Sequence, residues 1–203
     1  MKHQLPIEYG KFYHIYNRGN NSENLFLNTD NYYYFLSLYD KYISLVADTY
    51  AWCLMPNHFH LLIRVKDELD VGFLKPKRGQ KTPPKKAVPE NQFSHLFNAY
   101  SKAFNNQNHR HGSLFEHPFK RIEVDNERYL RQLVLYIHSN PVKHGFTENM
   151  IDWPWSSYLT IISVKPSKLC RELVLGWFDG ESNFISCHKE KQEFDLIKFS
   201  FLE

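Results

Sequence analysis

Hydrophobic and polar positions change their period several times along the chain, and each change marks a candidate element. Residues 10–17 (GKFYHIYN) combine alternation with β-branched and aromatic side chains and read as a strand. RGNNS (18–22) reads as a turn or loop. Residues 29–46 open on Thr29 and Asp30 as candidate caps and carry Phe35, Leu38, Tyr42 and Leu45 at helical spacing. YAWCLM (50–55) reads as a strand, Pro56-Asn57 interrupts it, and HFHLLIRV (58–65) is its antiparallel or extended continuation. In residues 91–108, Phe93, Leu96, Phe97, Tyr100 and Phe104 define an amphipathic helix. After a turn at Gly112, residues 113–124 read as a strand or hairpin with an irregularity at Pro118. Asp125 then caps a helix over 126–139, which Asn140-Pro141 ends.

The order strand, helix, strand, strand, helix, strand, helix predicts an α+β fold: one antiparallel sheet with its helices packed on one face. Residues 1–150 form the expected main domain, and residues 151–203 a C-terminal extension with two or three short helical possibilities. Trp153 and Trp155 are expected to pin that tail to the domain. The sharpest break in composition is KPKRGQKTPPKKAVP (75–89), with six Lys or Arg between Lys75 and Lys86 and no acid. Too few apolar groups are present there to offset the entropy of ordering, so it reads as a basic loop. It is either a solvated linker or an arm, bearing Lys75, Lys77 and Arg78, that neutralises phosphates.

Composition narrows this picture only slightly. With 42% hydrophobic and 23% charged residues the chain belongs to the ordinary globular class. Its net charge of +3 is compatible with a polyanionic partner without demanding one. The three cysteines, Cys53, Cys170 and Cys187, are isolated, so neither a disulfide framework nor a thiolate zinc cage is indicated. No apolar signal core and no membrane-length run is present, which predicts a reduced, cytoplasmic protein.

Two constellations carry chemistry. In His58-Phe59-His60 the period of a strand sends both imidazoles to one face and Phe59 to the other. That placement suits two nitrogen ligands of one divalent ion. On the last helix, Tyr136 and Asn140 stand at i and i+4, one turn apart on one face, where a phenol and an amide oxygen can share a target. A tyrosine attacks a phosphodiester covalently if a cation polarises the scissile phosphate. The phenolic proton could pass to His138, His144 or a water. Lys102, Arg110, Lys120 and Arg121 are interleaved with Tyr100 and Phe115, a mixture that suits the phosphates and unpaired bases of single-stranded DNA, although burial in the core is the commoner fate of each such aromatic.

AWCLMPNHFHLLIRV resembles the histidine-hydrophobic-histidine (HUH) motif of single-tyrosine transposases. YIHSNPVKHG, preceded by DNERYLRQLVL and followed by DWPWSSY, is similar to the REP-associated tyrosine transposases in particular. The resemblance spans roughly residues 8–160. It implies a ferredoxin-like or RRM-like sheet, Mg²⁺ or Mn²⁺ as cofactor, and a 5′-phosphotyrosine intermediate on single-stranded DNA at or near hairpins. It further implies His58, His60 and Asn140 as metal ligands, Tyr136 as nucleophile, and a monomer or homodimer. Many transposase relatives carry Gln where this chain has Asn140. Two other readings compete: a non-catalytic hairpin or single-strand binder that keeps the fold, and a metal hydrolase in which His58 and His60 activate water.

Overall fold

The computed structural model describes residues 6–74 and 83–200, with side chains as far as Gln192. In chain order the elements are β1 (Phe12–Arg18), α1 (Thr29–Ile43), β2 (Ala47–Met55), β3 (His58–Val65), the short strands β4 (Phe73–Leu74) and β5 (Lys85–Lys86), α2 (Pro89–Gln107), β6 (Lys120–Val124) and α3 (Glu127–Lys143). A tail follows with α4 (Tyr158–Ile161), α5 (Arg171–Trp177) and α6 (Glu181–Ser200). Lys75, Lys77 and Arg78 lie outside the described residues.

The principal sheet is antiparallel throughout, in the order β2–β3–β1–β6. With α1 and α2 as crossovers this is the ferredoxin-like arrangement. Pro56-Asn57 closes a hairpin in which Met55 faces His58. The Pro56 carbonyl accepts the N–H groups of Leu25 and Phe26, which fixes the loop entering α1. Local signals account for the helix starts. Asn28 and Asn126, extended in backbone, accept the N–H groups of Asn31 and Tyr129, so each cap is an asparagine beside the residues expected.

The helices do not all lie on one face, and this corrects the expectation. Tyr13, Ile15, Phe59, Leu61 and Ile63 point to a core shared with α1 and α2. Cys53, Met55, Leu62 and Val124 point the other way, to a core shared with α3 and the tail. The cause is visible in β2 and β3, where both alternating sets are largely buried: a sheet apolar on both sides needs a cover on both sides. The helical pattern showed which residues of α3 are apolar, but not to which side the chain turns after β6.

Two other boundaries move. The strand expected over 113–124 shrinks to Lys120–Val124, because Leu114 and Phe115 enter the first core from a coil held by a bridge between Gly19 and Phe115. Helix α3 runs through Pro141 to Lys143 rather than ending at Asn140. A proline lacks only its own N–H, which is affordable in a last turn closed by other bonds. Here Gly145, at φ 69°, donates to Val142 O and Phe146 to Pro141 O, a Schellman closure.

The tail covers the outer edge of β2. Leu54 N–H donates to Trp155 O at 2.8 Å, Ser157 N–H to Trp52 O at 2.9 Å, and Cys170 N–H to Thr49 O at 2.9 Å. Trp153 Nε1 donates to Leu54 O, and Trp155 stacks on Tyr32 at 4.3 Å between ring centroids, so both tryptophans pin the tail as expected. An edge strand saturated in this way offers few free donors for pairing with another chain. The three cysteines are free thiols. Among the described residues no helix is long and apolar enough to cross a membrane.

Behind α3 a buried chain of hydrogen bonds ties the tail to the sheet. The Phe184 carbonyl can only accept, so His188 Nδ1 donates to it and His188 Nε2 must accept from His138 Nδ1. His138 Nε2 then accepts from Ser157 Oγ, which in turn accepts the Trp52 N–H. Every member is satisfied when both imidazoles are neutral. Phe184 packs over this relay with no exposed surface, against Tyr158 and Phe178. Replacing Phe184 with alanine is expected to lower unfolding free energy by about 3–5 kcal/mol. Chemical denaturation checks this; a loss below about 1 kcal/mol would mean that the tail contributes little to the fold.

Candidate active site

The period of β3 places His58, His60 and Leu62 on the side that α3 covers, opposite Met55, Cys53 and Ala51 of β2. On the other side of β3 the same register sets Tyr16 opposite His60 and Arg18 opposite His58. Leu62 lies deep in the core with Leu133, Val134 and Ile137, and the histidines continue the same row toward the open end of the sheet. The apolar stripe of α3 therefore holds the helix down, and Tyr136 overhangs the histidines.

An open cleft of about 490 Å³ results, lined among others by His58, His60, Lys120, Tyr136 and His144. The Tyr136 ring stands edge-on to His60, with centroids 5.3 Å apart. His58 and His60 are 5.4 Å apart and nearly perpendicular, and His144 lies 4.9 Å from His58. Lys143 Nζ sits 5.3 Å from the centre of the Tyr136 ring. Arg18 and Glu116 form an ion pair at the rim.

Each of the two ring Nδ1 atoms is engaged by the protein. His58 Nδ1 lies 2.6 Å from Asn57 Oδ1, which can only accept, so Nδ1 carries the proton and Nε2 a lone pair. His60 Nδ1 lies 2.9 Å from His14 Nε2. When His60 is the donor of that bond, its own Nε2 also presents a lone pair. Anchoring one ring nitrogen to free the other is how proteins orient metal-binding imidazoles. Burial, reinforced by neighbouring cationic groups, holds His58 down at about 4 and His60 well below the ordinary imidazole value, so both are neutral near pH 7. Burial holds the Tyr136 phenol above its ordinary value.

Asn140 is placed differently from His58, His60 and Tyr136. It is fully buried and does not line the cleft. Its Nδ2 donates to the Tyr136 carbonyl at 2.7 Å, a local i to i−4 bond, and its Oδ1 has no partner among the described residues. An orphaned buried acceptor is costly, and this one lies a single helical turn from Tyr136. Among the described residues no three His, Cys, Asp or Glu side chains converge as a ready metal cage. The two imidazoles thus offer a divalent ion two nitrogen donors when His60 donates to His14, and Asn140 would have to turn to add an oxygen. His138, considered as a proton acceptor, is buried in its own relay away from the cleft. His144 lines the cleft.

Of the basic and aromatic residues expected to meet DNA, Lys120 lines the cleft. Arg121 points to the opposite side of β6 and lies over Phe119. Lys102 is exposed on α2, the helix that covers the far face of the sheet. Arg110 is bound to Glu23 at 2.5 Å and to the Ser113 carbonyl, where it braces a loop. Tyr100 and Phe115 are core residues, and Tyr100 donates its hydroxyl to Leu25 O. The aromatics at helical spacing were therefore needed for packing.

Sequence reasoning passed over His14, Tyr16, Asn57 and Lys143. His14 and Tyr16 repeat on β1 the i, i+2 spacing of His58 and His60, a signal present in HIY; the register that brings the two pairs together was not.

No family model matches the sequence. A Haemophilus influenzae protein provisionally named a REP-associated tyrosine transposase is 28% identical over 116 residues, which cover 55% of this chain and 58% of that protein. The chain is thus similar in sequence to a REP-associated tyrosine transposase. The match spans little more than half the length of the curated relative. In three dimensions the chain shares its fold with a REP-associated tyrosine transposase solved bound to a REP hairpin. The TM-score is 0.59 at 17% identity, over 82% of this chain and 88% of that one.

The buried imidazoles make stability depend on pH. His14, His58 and His188 are held by burial at about 4 against an ordinary value of 6.5. Between these values the unfolded chain takes up protons that the folded chain refuses, so stability is complete above about pH 6.5 and falls as pH drops toward 4. Thermal melting at pH 7.5 and 5.0 is expected to show a clearly lower midpoint at 5.0. Equal midpoints would mean that these histidines are solvated or already charged in the fold.

Proposed function

We propose that the chain cuts and rejoins single-stranded DNA at or near hairpins by forming a 5′-phosphotyrosine at Tyr136. The observation that carries this reading is the position of Tyr136, edge-on to His60 at 5.3 Å in the cleft that His58 also lines. Tyr136 and two neutral imidazoles share one open space, and the Nε2 of His58 is free there. The REP hairpin bound by the structural relative favours the same substrate class.

His58 and His60 would hold Mg²⁺ or Mn²⁺, with Asn140 as a third donor once its unpartnered Oδ1 turns to the cleft. The ion, when bound, polarises the scissile phosphate and offsets the charge that builds on it. Lys120 in the cleft lining and Lys143, 5.3 Å from the centre of the Tyr136 ring, add positive charge near Tyr136. In the forward step Tyr136 Oη forms a bond to phosphorus as the bond from phosphorus to O3′ breaks. The phenolic proton passes to His144 or a water, and the departing O3′ takes up a proton from solvent. His144 is held below its ordinary value by burial and by Lys143, so it is neutral and able to accept. The phosphodiester is exchanged for a phosphotyrosyl bond, so a free 3′ hydroxyl can reverse the step. Tyrosine and histidines come from one chain, which favours a site complete within a monomer.

One observation favours a second reading. Asn140 faces its own helix, and a chain that keeps the fold only to bind hairpins would have no use for a third metal donor. A pool of labelled hairpins with single-stranded flanks, incubated with Mn²⁺ or with EDTA and resolved on denaturing gels, separates the two. The expected result is a covalent protein–DNA band that needs the metal and is absent in Tyr136→Phe. Tight binding without an adduct under any metal would favour the binder, and cleavage without an adduct would favour metal-activated water. His60→Ala is expected to lower adduct formation by more than the roughly 10-fold that loss of even an outer partner of a metal ligand costs.

A further inference from the structure

Tyr136 divides two depressions rather than closing one. On its far side lies a second hollow of about 410 Å³, between β1, β6 and α3. Tyr16, His60 and Tyr136 line both hollows, so the two are continuous around the tyrosine. Tyr129, Gln132 and Tyr136 reach the second one from a single face of α3, at i, i+3 and i+7. Its floor on the sheet is aromatic. His14 and Tyr16 are near-parallel at 4.8 Å and 28°, and His14 and His60 at 5.0 Å and 29°.

The two hollows differ in charge. The first is lined by Arg18, Glu116 and Lys120, whereas among the described residues no Lys, Arg, Asp or Glu lines the second. Ile122, 42% exposed, supplies an apolar wall there. Gln132 is exposed, and its amide has no hydrogen-bond partner among the described residues. A strand whose phosphate lies in the charged hollow meets, on the other side of Tyr136, an uncharged aromatic space with one free amide. That division matches the two halves of a nucleotide, since phosphates take charge and unpaired bases take flat rings.

We propose that the second hollow seats one unpaired nucleobase, that of a nucleotide next to the phosphate attacked by Tyr136, with Tyr129 as a stacking wall and Gln132 reading its edge. The proposal rests on the functional reading above for the identity of the strand. Gln132 would then set a base preference at one position of the single-stranded flank, because a side-chain amide both donates to and accepts from a base edge.

The test is an abasic scan. A hairpin chosen for its adduct, or for its affinity if no adduct forms, is synthesised with single abasic sites along the flanks. Adduct rate and equilibrium binding by fluorescence anisotropy are then measured for the full chain, Tyr129→Ala and Gln132→Ala. One abasic position is expected to weaken wild-type binding about 10-fold, the scale of a base stacked on an aromatic ring. The same position should cost Tyr129→Ala little, since the stacking wall is already gone. Gln132→Ala, altered at an exposed side chain, should keep its melting temperature and show a flattened preference among the four bases there. Scans of wild type and Tyr129→Ala that coincide, or no position costing more than about twofold, would overturn the base seat. An abasic profile present in binding while wild type forms no adduct would retain the seat and reject the nicking reaction.

Discussion

The arrangement of the cleft depends on α3 being held against the one face of the sheet that carries histidines. Leu130, Leu133, Val134 and Ile137 of that helix are buried with Leu62, Cys53 and Val124 of the sheet. Hydrophobic burial acts without direction, so it fixes only that the helix lies on this face. Direction comes from the helix ends: Asn126 caps the start, and the Schellman closure at Gly145 ends it. Between these anchors Tyr136 overhangs the row in which His58 and His60 succeed Leu62. A row that is core at one end and open cleft at the other allows the same packing to build both the fold and the site.

The far side of α3 is held by the relay from Trp52 through Ser157 and His138 to His188 and the Phe184 carbonyl. Its members lie on β2, at the start of α4, on α3 and on α6. The tail is thus attached to the helix that carries Tyr136 by directed bonds as well as by apolar contact, and His138 is two residues from Tyr136. Protonation of His188 would set its Nε2–H against the Nδ1–H of His138, so the relay as bonded favours the neutral form. Desolvation lowers the affinity of His138 and His188 for protons, which acts in the same direction.

Much of the site was legible in the sequence because its signals are local. The spacing of His58 and His60 on a strand already implies a common face, and Tyr136 sits in a clear amphipathic helix. What was not legible depended on register and on the side to which a chain turns. Nothing in the sequence around His14 announces that it will lie 2.9 Å from His60, since β1 and β3 are joined only by pairing. The helices were expected on one face because each pattern was read alone; the near-complete burial of β2 and β3 was the clue to two covers. Asn140 shows the limit of i, i+4 reasoning. Sharing a helical face with Tyr136 did not direct its amide outward, because the carbonyl one turn back was a nearer acceptor.

The central claim is that Tyr136 becomes bonded to DNA, and the most direct measurement is the mass of the peptide that carries the bond. The protein is incubated with hairpin DNA and Mn²⁺, digested with nuclease and trypsin, and sequenced by tandem mass spectrometry. A nucleotide attached through its 5′ phosphate to Tyr136 is the predicted result. Attachment at another residue, or a free 5′ phosphate on the cut strand with an unmodified Tyr136 peptide, would contradict it.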